Sequence, residues 1–265
     1  MQSVLCYAPE ARIVVVDDTG RPGQLNGRLG ALSSVCVIAA PTGAPGARGG
    51  LWVKLASGFR YALSHYDFDV LLRLDADALM IGPGLEELAR ARFDHSPGTG
   101  MLGSYRYDTG GGRRDFGPAA RLLAAECGIS GLRRPGLRRL LRAIRREATK
   151  RGYVPGEHAL GGAYLQSRSA LEALDERGFL DLPELSKSRL GEDHLFGLLT
   201  VAAGFMIADF GGPNDPMALR WEGLPAAPAE LLARNKLVTH SVRFFNGLDE
   251  ASIRATFAAA RAGGR

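Results

Sequence analysis

Residues 69–81 read Asp-Val-Leu-Leu-Arg-Leu-Asp-Ala-Asp-Ala-Leu-Met-Ile. The apolar, β-prone run Val70-Leu71-Leu72 with Leu74 delivers Asp75 and Asp77, then resumes as Leu79-Met80-Ile81. Aspartate is depleted in strands. Two of them at i and i+2 of a buried run point to one face and repel. A cation between them removes that penalty. Hard divalent ions such as Mg²⁺ or Mn²⁺ take carboxylate oxygen, usually from one or two protein groups together with substrate phosphates. The stretch therefore reads as a metal–diphosphate site at a strand end. The plainer reading is a polar strand end that caps the following turn.

Upstream, Leu51, Leu55, Phe59, Ala62, Leu63 and Tyr66 recur at spacings of three and four and predict an amphipathic helix over 51–66. Val35–Ala40 reads as a strand before it. Ile13-Val14-Val15-Val16, within Ala11–Asp18, reads as a strand buried on both faces, as in a parallel sheet. Strand, helix and strand at this spacing make a right-handed βαβ unit. Open α/β sheets bind ligands at the carboxyl ends of their strands. Asp17, Asp18, Asp75 and Asp77 all fall at such ends. Ser3–Tyr7 is too close to Ile13 to be its parallel neighbour in one sheet, since that connection takes a dozen residues or more. It reads as the end of a helix, so the first strand of a nucleotide-binding half is expected to be missing.

Downstream, strands are expected at Gly100–Tyr107, Gly161–Leu165, Phe205–Phe210 and Leu237–His240, the last of the chain. Thr109–Arg114 and Gly211–Pro216 read as loops. Helices are expected over 117–150, interrupted near Gly128–Gly136, and at Ser169–Arg177, Glu192–Ala203 and 249–262. One mixed α/β domain accommodates this order.

The chain has 265 residues, 46% hydrophobic and 23% charged, enough for a sizeable core. Cys6, Cys36 and Cys127 are scattered, odd in number and without CxxC spacing. They argue against a disulfide framework or a zinc ribbon and fit a reducing, cytoplasmic setting. No apolar run approaches the roughly 18–20 residues that cross a bilayer, and no signal peptide is evident.

The net charge of +5 is local in origin. Residues 133–151 hold nine Arg or Lys against Glu147, a net +8, which leaves −3 for the rest. Leu137, Leu140, Leu141, Ile144 and Ala148 lie at helical spacing among them. Three readings stand open: a solvated helix that packs its apolar stripe inward, a helix docked peripherally on an anionic membrane face, or a surface for an acidic acceptor. Nucleic acid is not expected, because no aromatic residues interleave the basic ones.

Three further features carry chemistry. Glu192 and Asp193 occupy the first turn of a helix that begins after Gly191. The helix dipole favours carboxylates there, and one of them could equally serve as a general base. Gly161-Gly162 before a strand permits close backbone approach to a ligand, or is a plain turn. His240 ends an apolar strand in Thr239-His240-Ser241-Val242-Arg243, where an imidazole can complete a metal shell.

In this order the features resemble the GT-A glycosyltransferases. Val14-Val15-Val16-Asp17-Asp18 resembles the family's first acidic strand end. Leu74-Asp75-Ala76-Asp77 resembles its DxD motif. Gly161–Leu171 resembles its acceptor-side glycine–strand–helix element, and Glu192-Asp193 its catalytic acid pair, with His240 beyond. The spacing is most similar to inverting members, the fringe and β-1,3-galactosyltransferase group and the large bacterial family. The resemblance covers roughly residues 10–245. It implies a Rossmann-like GT-A domain over 1–265, with a mixed central sheet, a nucleotide-sugar half (about 1–113), a basic helical insert (117–151) and an acceptor half (about 153–247).

The resemblance also implies roles. Asp77 would hold Mn²⁺ or Mg²⁺, with Asp75 on the metal or the ribose and His240 completing the shell. Asp17 or Asp18 would contact the base, and Lys54 would reach the nucleotide. Asp193 would deprotonate the acceptor hydroxyl, supported by Glu192. The donor would be a nucleoside-diphosphate sugar, and the acceptor a glycan, a lipid-linked or a small molecule. Two rivals remain. One is a GT-A-fold binding protein without turnover, suggested by the missing first strand. The other is a haloacid-dehalogenase-type phosphatase, whose motif is DxDxT where this chain has Asp75-Ala76-Asp77-Ala78-Leu79.

Overall fold

The computed structural model describes residues 1–19, 21, 25–43 and 48–263. The first half runs α1 (Gln2–Tyr7), β1 (Ile13–Asp17), α2 (Asn26–Leu29), β2 (Val35–Ala39), α3 (Gly49–His65), β3 (Val70–Leu74), β4 (Leu79–Met80), α4 (Leu85–His95) and β5 (Thr99–Gly103). Then come α5 (Gly117–Cys127), a 3-10 turn (Ile129–Arg133), α6 (Pro135–Lys150), β6 (Ala163–Ser167) and α7 (Arg168–Glu176). A second 3-10 turn (Pro183–Lys187) leads to α8 (Glu192–Ala203), β7 (Met206–Asp209), β8 (Met217–Leu219), α9 (Pro228–Ala233), β9 (Val238–His240), β10 (Phe244–Phe245), β11 (Leu248–Asp249) and α10 (Glu250–Ala262).

A mixed four-stranded sheet in the order β3-β6-β5-β7 forms the centre of this α/β domain. β6 is antiparallel to both β3 and β5, and β5 is parallel to β7. Every residue of β6 is buried. Its side chains alternate between two cores, as period-two geometry requires. Tyr164 packs with Trp52 of α3 and Phe196 of α8 on one face. Ala163 and Leu165 pack with Leu85, Ala89 and Phe93 of α4 on the other. A strand covered on both faces reads as a continuous apolar run, which is how Ala163-Tyr164-Leu165 reads.

The run 70–81 is not one strand. It breaks at a turn, closed by the Ala78 N–H donating to Asp75 O at 3.0 Å. There the chain leaves the central sheet and enters a second sheet, ordered β4-β9-β8. Two ladders fix what surrounds the turn. Leu74 lies opposite Ala163 in the first, so Asp75 follows opposite Gly162. Leu79 lies opposite Thr239 in the second, so Asp77 approaches Ser241.

Other expectations need correction. β1 pairs in parallel with β2, as a separate two-stranded sheet. Its residues are all half-buried rather than buried on both faces; helix α3 packs on one side, where a Cβ on Gly58 would lie 2.8 Å from Val16. Among the described residues β2 and β3 belong to different sheets, so the expected βαβ unit between them is not closed by a shared ladder. β5 ends at Gly103, because the Asp209 carboxylate takes the N–H groups of Tyr105, Arg106 and Tyr107. β9 is followed by the β10–β11 hairpin, and β8 and α9 were not expected. The segment before β1 is helical, as read.

In the basic segment, Leu137, Leu141, Ile144 and Ala148 are buried against the core that includes Phe196 and Leu198. The apolar stripe of α6 thus faces inward, and it is not free to enter a membrane. No helix among the described residues is long and apolar enough to cross one.

Candidate active site

The two ladders bring Asp75, Asp77 and His240 together, with one ligand atom of each within 4.8 Å of the others. His240 sets the direction. Its Nδ1 lies 2.9 Å from the Arg220 carbonyl oxygen. A carbonyl only accepts, so Nδ1 donates this hydrogen bond, and in the neutral imidazole Nε2 is the nitrogen that carries the lone pair. That Nε2 faces Asp77 Oδ1 at 3.4 Å and Asp75 Oδ2 at 3.8 Å.

The outward oxygens are held by other groups. Asp77 Oδ2 accepts from the Ser241 hydroxyl at 2.9 Å and pairs with Arg243 Nε at 2.8 Å. Asp75 Oδ1 pairs with Arg73 Nη2 at 2.9 Å. Each candidate ligand therefore has one atom pinned from behind and one atom turned inward. This is the outer-shell pattern that orients metal ligands. Burial opposes the Asp77 carboxylate, but His240, the Ser241 hydroxyl and Arg243 outweigh it and hold its pKa below the ordinary value. Two carboxylate oxygens and one imidazole nitrogen form a donor set suited to a divalent ion, the imidazole favouring Mn²⁺ over Mg²⁺.

Gly162 completes the wall. Its φ of +97° lies in the left-handed region, and a Cβ there would collide with the His240 ring. Its carbonyl accepts the Asp75 N–H at 2.8 Å. Gly161 and Gly162 form a turn that lets β6 begin directly against the cluster, close to the His240 ring.

The acids of α8 divide. Asp193 accepts from Gly161 N on Oδ2 and from His194 N on Oδ1, both at 2.9 Å. Burial raises its pKa, but the His158 and His194 rings and these two N–H donors more than offset that and leave it low. Glu192 is pushed up to about 7, first by burial and then by Asp193, against the pull of Arg73. Its Oε1 lies 2.9 Å from Arg73 Nη2, in ionic contact but without hydrogen-bond geometry. The Arg73 side chain is 2% exposed and touches both Asp75 and Glu192. One buried guanidinium thus joins the metal-ligand group to the acid pair.

A second trio, His158, Asp193 and His194, also lies close enough to hold an ion. It does not fit one. His158 Nδ1 donates to Gly156 O at 2.7 Å, so Nε2 must accept, and it takes Arg114 Nη2 at 3.0 Å. The lone pair a metal needs is occupied, and a cation stands beside it.

Lys54 Nζ pairs with Asp18 Oδ2 at 3.0 Å, so these two expected nucleotide contacts meet. Asp17 instead accepts the Thr19 N–H at 2.9 Å. Among the described residues no hydrogen bond or ion pair joins this β1–α3 group to the Asp75–Asp77–His240 group.

Sequence reading missed Arg73, Arg220 and Ser241 as supporting residues. Arg73 carried a signal: a charge inside an apolar strand, two residues before the first acid. Arg220 acts through its carbonyl, which side-chain identity does not reveal. No protein-family model matches this chain, and comparison with curated proteins finds no match.

Proposed function

We propose that this chain is a metal-dependent glycosyltransferase of the GT-A type. It moves a sugar from a nucleoside-diphosphate sugar to a hydroxyl acceptor. The observation that carries this reading is the convergence of Asp75 Oδ2, Asp77 Oδ1 and His240 Nε2, with Glu192 one guanidinium away. Asp75, Asp77 and His240 would hold Mn²⁺ or Mg²⁺. Such an ion, when bound, neutralises the charge that develops on a diphosphate leaving group.

The chain's own residues supply the rest. Glu192 takes the proton from the acceptor hydroxyl. Its proton affinity near neutrality suits a general base, and its Oε1 has no hydrogen-bond partner. Asp193 has both oxygens committed to backbone N–H groups, so it fixes the Gly161–Gly162 segment rather than moving a proton. This reverses the roles expected within the acid pair. Arg73 orients Asp75 and Glu192 toward the same space. Asp18 and Lys54 bind the nucleoside end.

Incubation with a panel of nucleoside-diphosphate sugars and Mn²⁺, read out as release of nucleoside diphosphate, tests the reading. Metal-dependent release from one donor supports it. Hydrolysis of an aryl phosphate without any release from sugar nucleotides replaces it with the phosphatase reading. Metal-dependent nucleotide binding without turnover replaces it with the binding-protein reading.

A further inference from the structure

The apolar stripe of α6 is buried, yet the segment before it presents a different apolar group. Ile129 is 85% exposed and Leu132 is 56% exposed. They are three residues apart in the 3-10 turn Ile129–Arg133, and in that geometry i and i+3 stand on one side. The turn is seated firmly. Gly131 is buried against the Glu126 carbonyl, where a Cβ has no room. Arg138 Nε donates to the Cys127 and Gly128 carbonyls at 3.2 and 2.9 Å. An exposed aliphatic pair on a fixed turn is costly to leave in water.

The turn leads directly into α6, which carries a row of positive charge. Arg139, Arg142 and Arg146 are exposed, lie at spacings of three and four along α6, and form no ion pair among the described residues. A groove of about 690 Å³ is lined by Arg138, Arg142, Arg145, Arg146 and Lys150, together with Gly128. No acid lines it.

We propose that this face docks on a bilayer carrying anionic lipid headgroups. Ile129 and Leu132 enter the headgroup boundary, and Arg139, Arg142 and Arg146 lie along the lipid phosphates. The aliphatic pair selects a bilayer over a nucleic acid. A phosphate backbone gains nothing from exposed Ile and Leu, and single-stranded nucleic acid is held on aromatic platforms. Residues 128–151 contain no aromatic residue. This mode uses the turn as the apolar anchor and leaves the packed stripe of α6 in place.

Sedimentation with vesicles tests this directly. The protein should pellet with equimolar phosphatidylcholine and phosphatidylglycerol at low salt, and stay in solution with phosphatidylcholine alone. Salt should release it, since the surface field decays within a Debye length. Replacing Arg139, Arg142 and Arg146 together by Gln should weaken binding about a hundredfold. The double variant Ile129→Ser, Leu132→Ser should weaken it at least about tenfold. All five side chains are exposed, so the fold is not at stake. The proposal is overturned if the unaltered protein ignores the anionic vesicles at low salt. It is also overturned if the Ser double variant binds them as tightly as the unaltered protein, which would mark a surface for a polyanion instead.

Discussion

His240 turns its Nε2 toward Asp77 Oδ1 at 3.4 Å, while its Nδ1 is tied to the Arg220 carbonyl at 2.9 Å. In its neutral form the imidazole therefore points an unprotonated nitrogen at two carboxylates. Without an ion, that leaves like partial charges facing one another. The proposed metal site depends on this orientation.

Glu192 and Asp193 are neighbours that should respond to mutation in opposite ways. Glu192→Gln keeps the shape and removes the basicity, so kcat should fall on the order of a hundredfold or more, with the fold intact. Asp193→Asn places an amide among the N–H donors of Gly161 and His194, and should cost about 1–3 kcal/mol of stability. Turnover assays and denaturant melts on both variants check this. A large kcat loss for Asp193→Asn at unchanged stability, with Glu192→Gln near normal, would restore the roles first expected.

The same pair predicts a pH dependence. A Glu192 pKa raised to about 7 means stability from this group is complete below its unfolded value and lost as pH rises through about 7. His158 works the other way. Burial lowers its pKa to about 3, so its contribution is complete above the ordinary histidine value and lost as pH falls. Between about pH 4.5 and 6.5 the two slopes oppose one another. Denaturant titrations across that window should therefore show stability rising more steeply with pH in Glu192→Gln than in the unaltered protein. Parallel curves would mean that Glu192 is not raised. The kcat should rise with pH through about 7, as Glu192 loses its proton.

Gly162→Ala should disrupt the site from behind. The φ of +97° disfavours any L side chain, and the new methyl meets the His240 ring. The loss of stability should be at least about 1 kcal/mol, and metal-dependent nucleotide binding should fall with it. Calorimetry showing unchanged binding in this variant would mean that His240 is not a ligand.

Much of this was legible in the sequence, for local reasons. Glu192 opens α8 where Gly191 and two acids mark a start, and the spacing from Leu51 to Phe59 marked α3. Ile13–Val16 marked β1 as a strand. What stayed hidden is long-range. Local pattern does not say that β1 and β2 form their own sheet, or that the Asp75–Ala78 turn passes from one sheet to another. β8 has three residues, too few to show a period. Asp75 and Asp77 were recognisable as acids at a strand end, but most of their partners come from far along the chain: Gly162, His240, Ser241 and Arg243. The roles within Glu192-Asp193 turn on which carboxylate the Gly161 N–H reaches, and the residue names do not contain that.

The most direct measurement is Mn²⁺ binding followed by electron paramagnetic resonance, with and without a nucleoside diphosphate. The account predicts that the free-ion signal is lost stoichiometrically with the protein, more tightly when nucleotide is present. It also predicts that Asp77→Asn, in which one inward oxygen loses its charge, restores the signal. A free Mn²⁺ signal undiminished by the unaltered protein with every nucleoside diphosphate would contradict it.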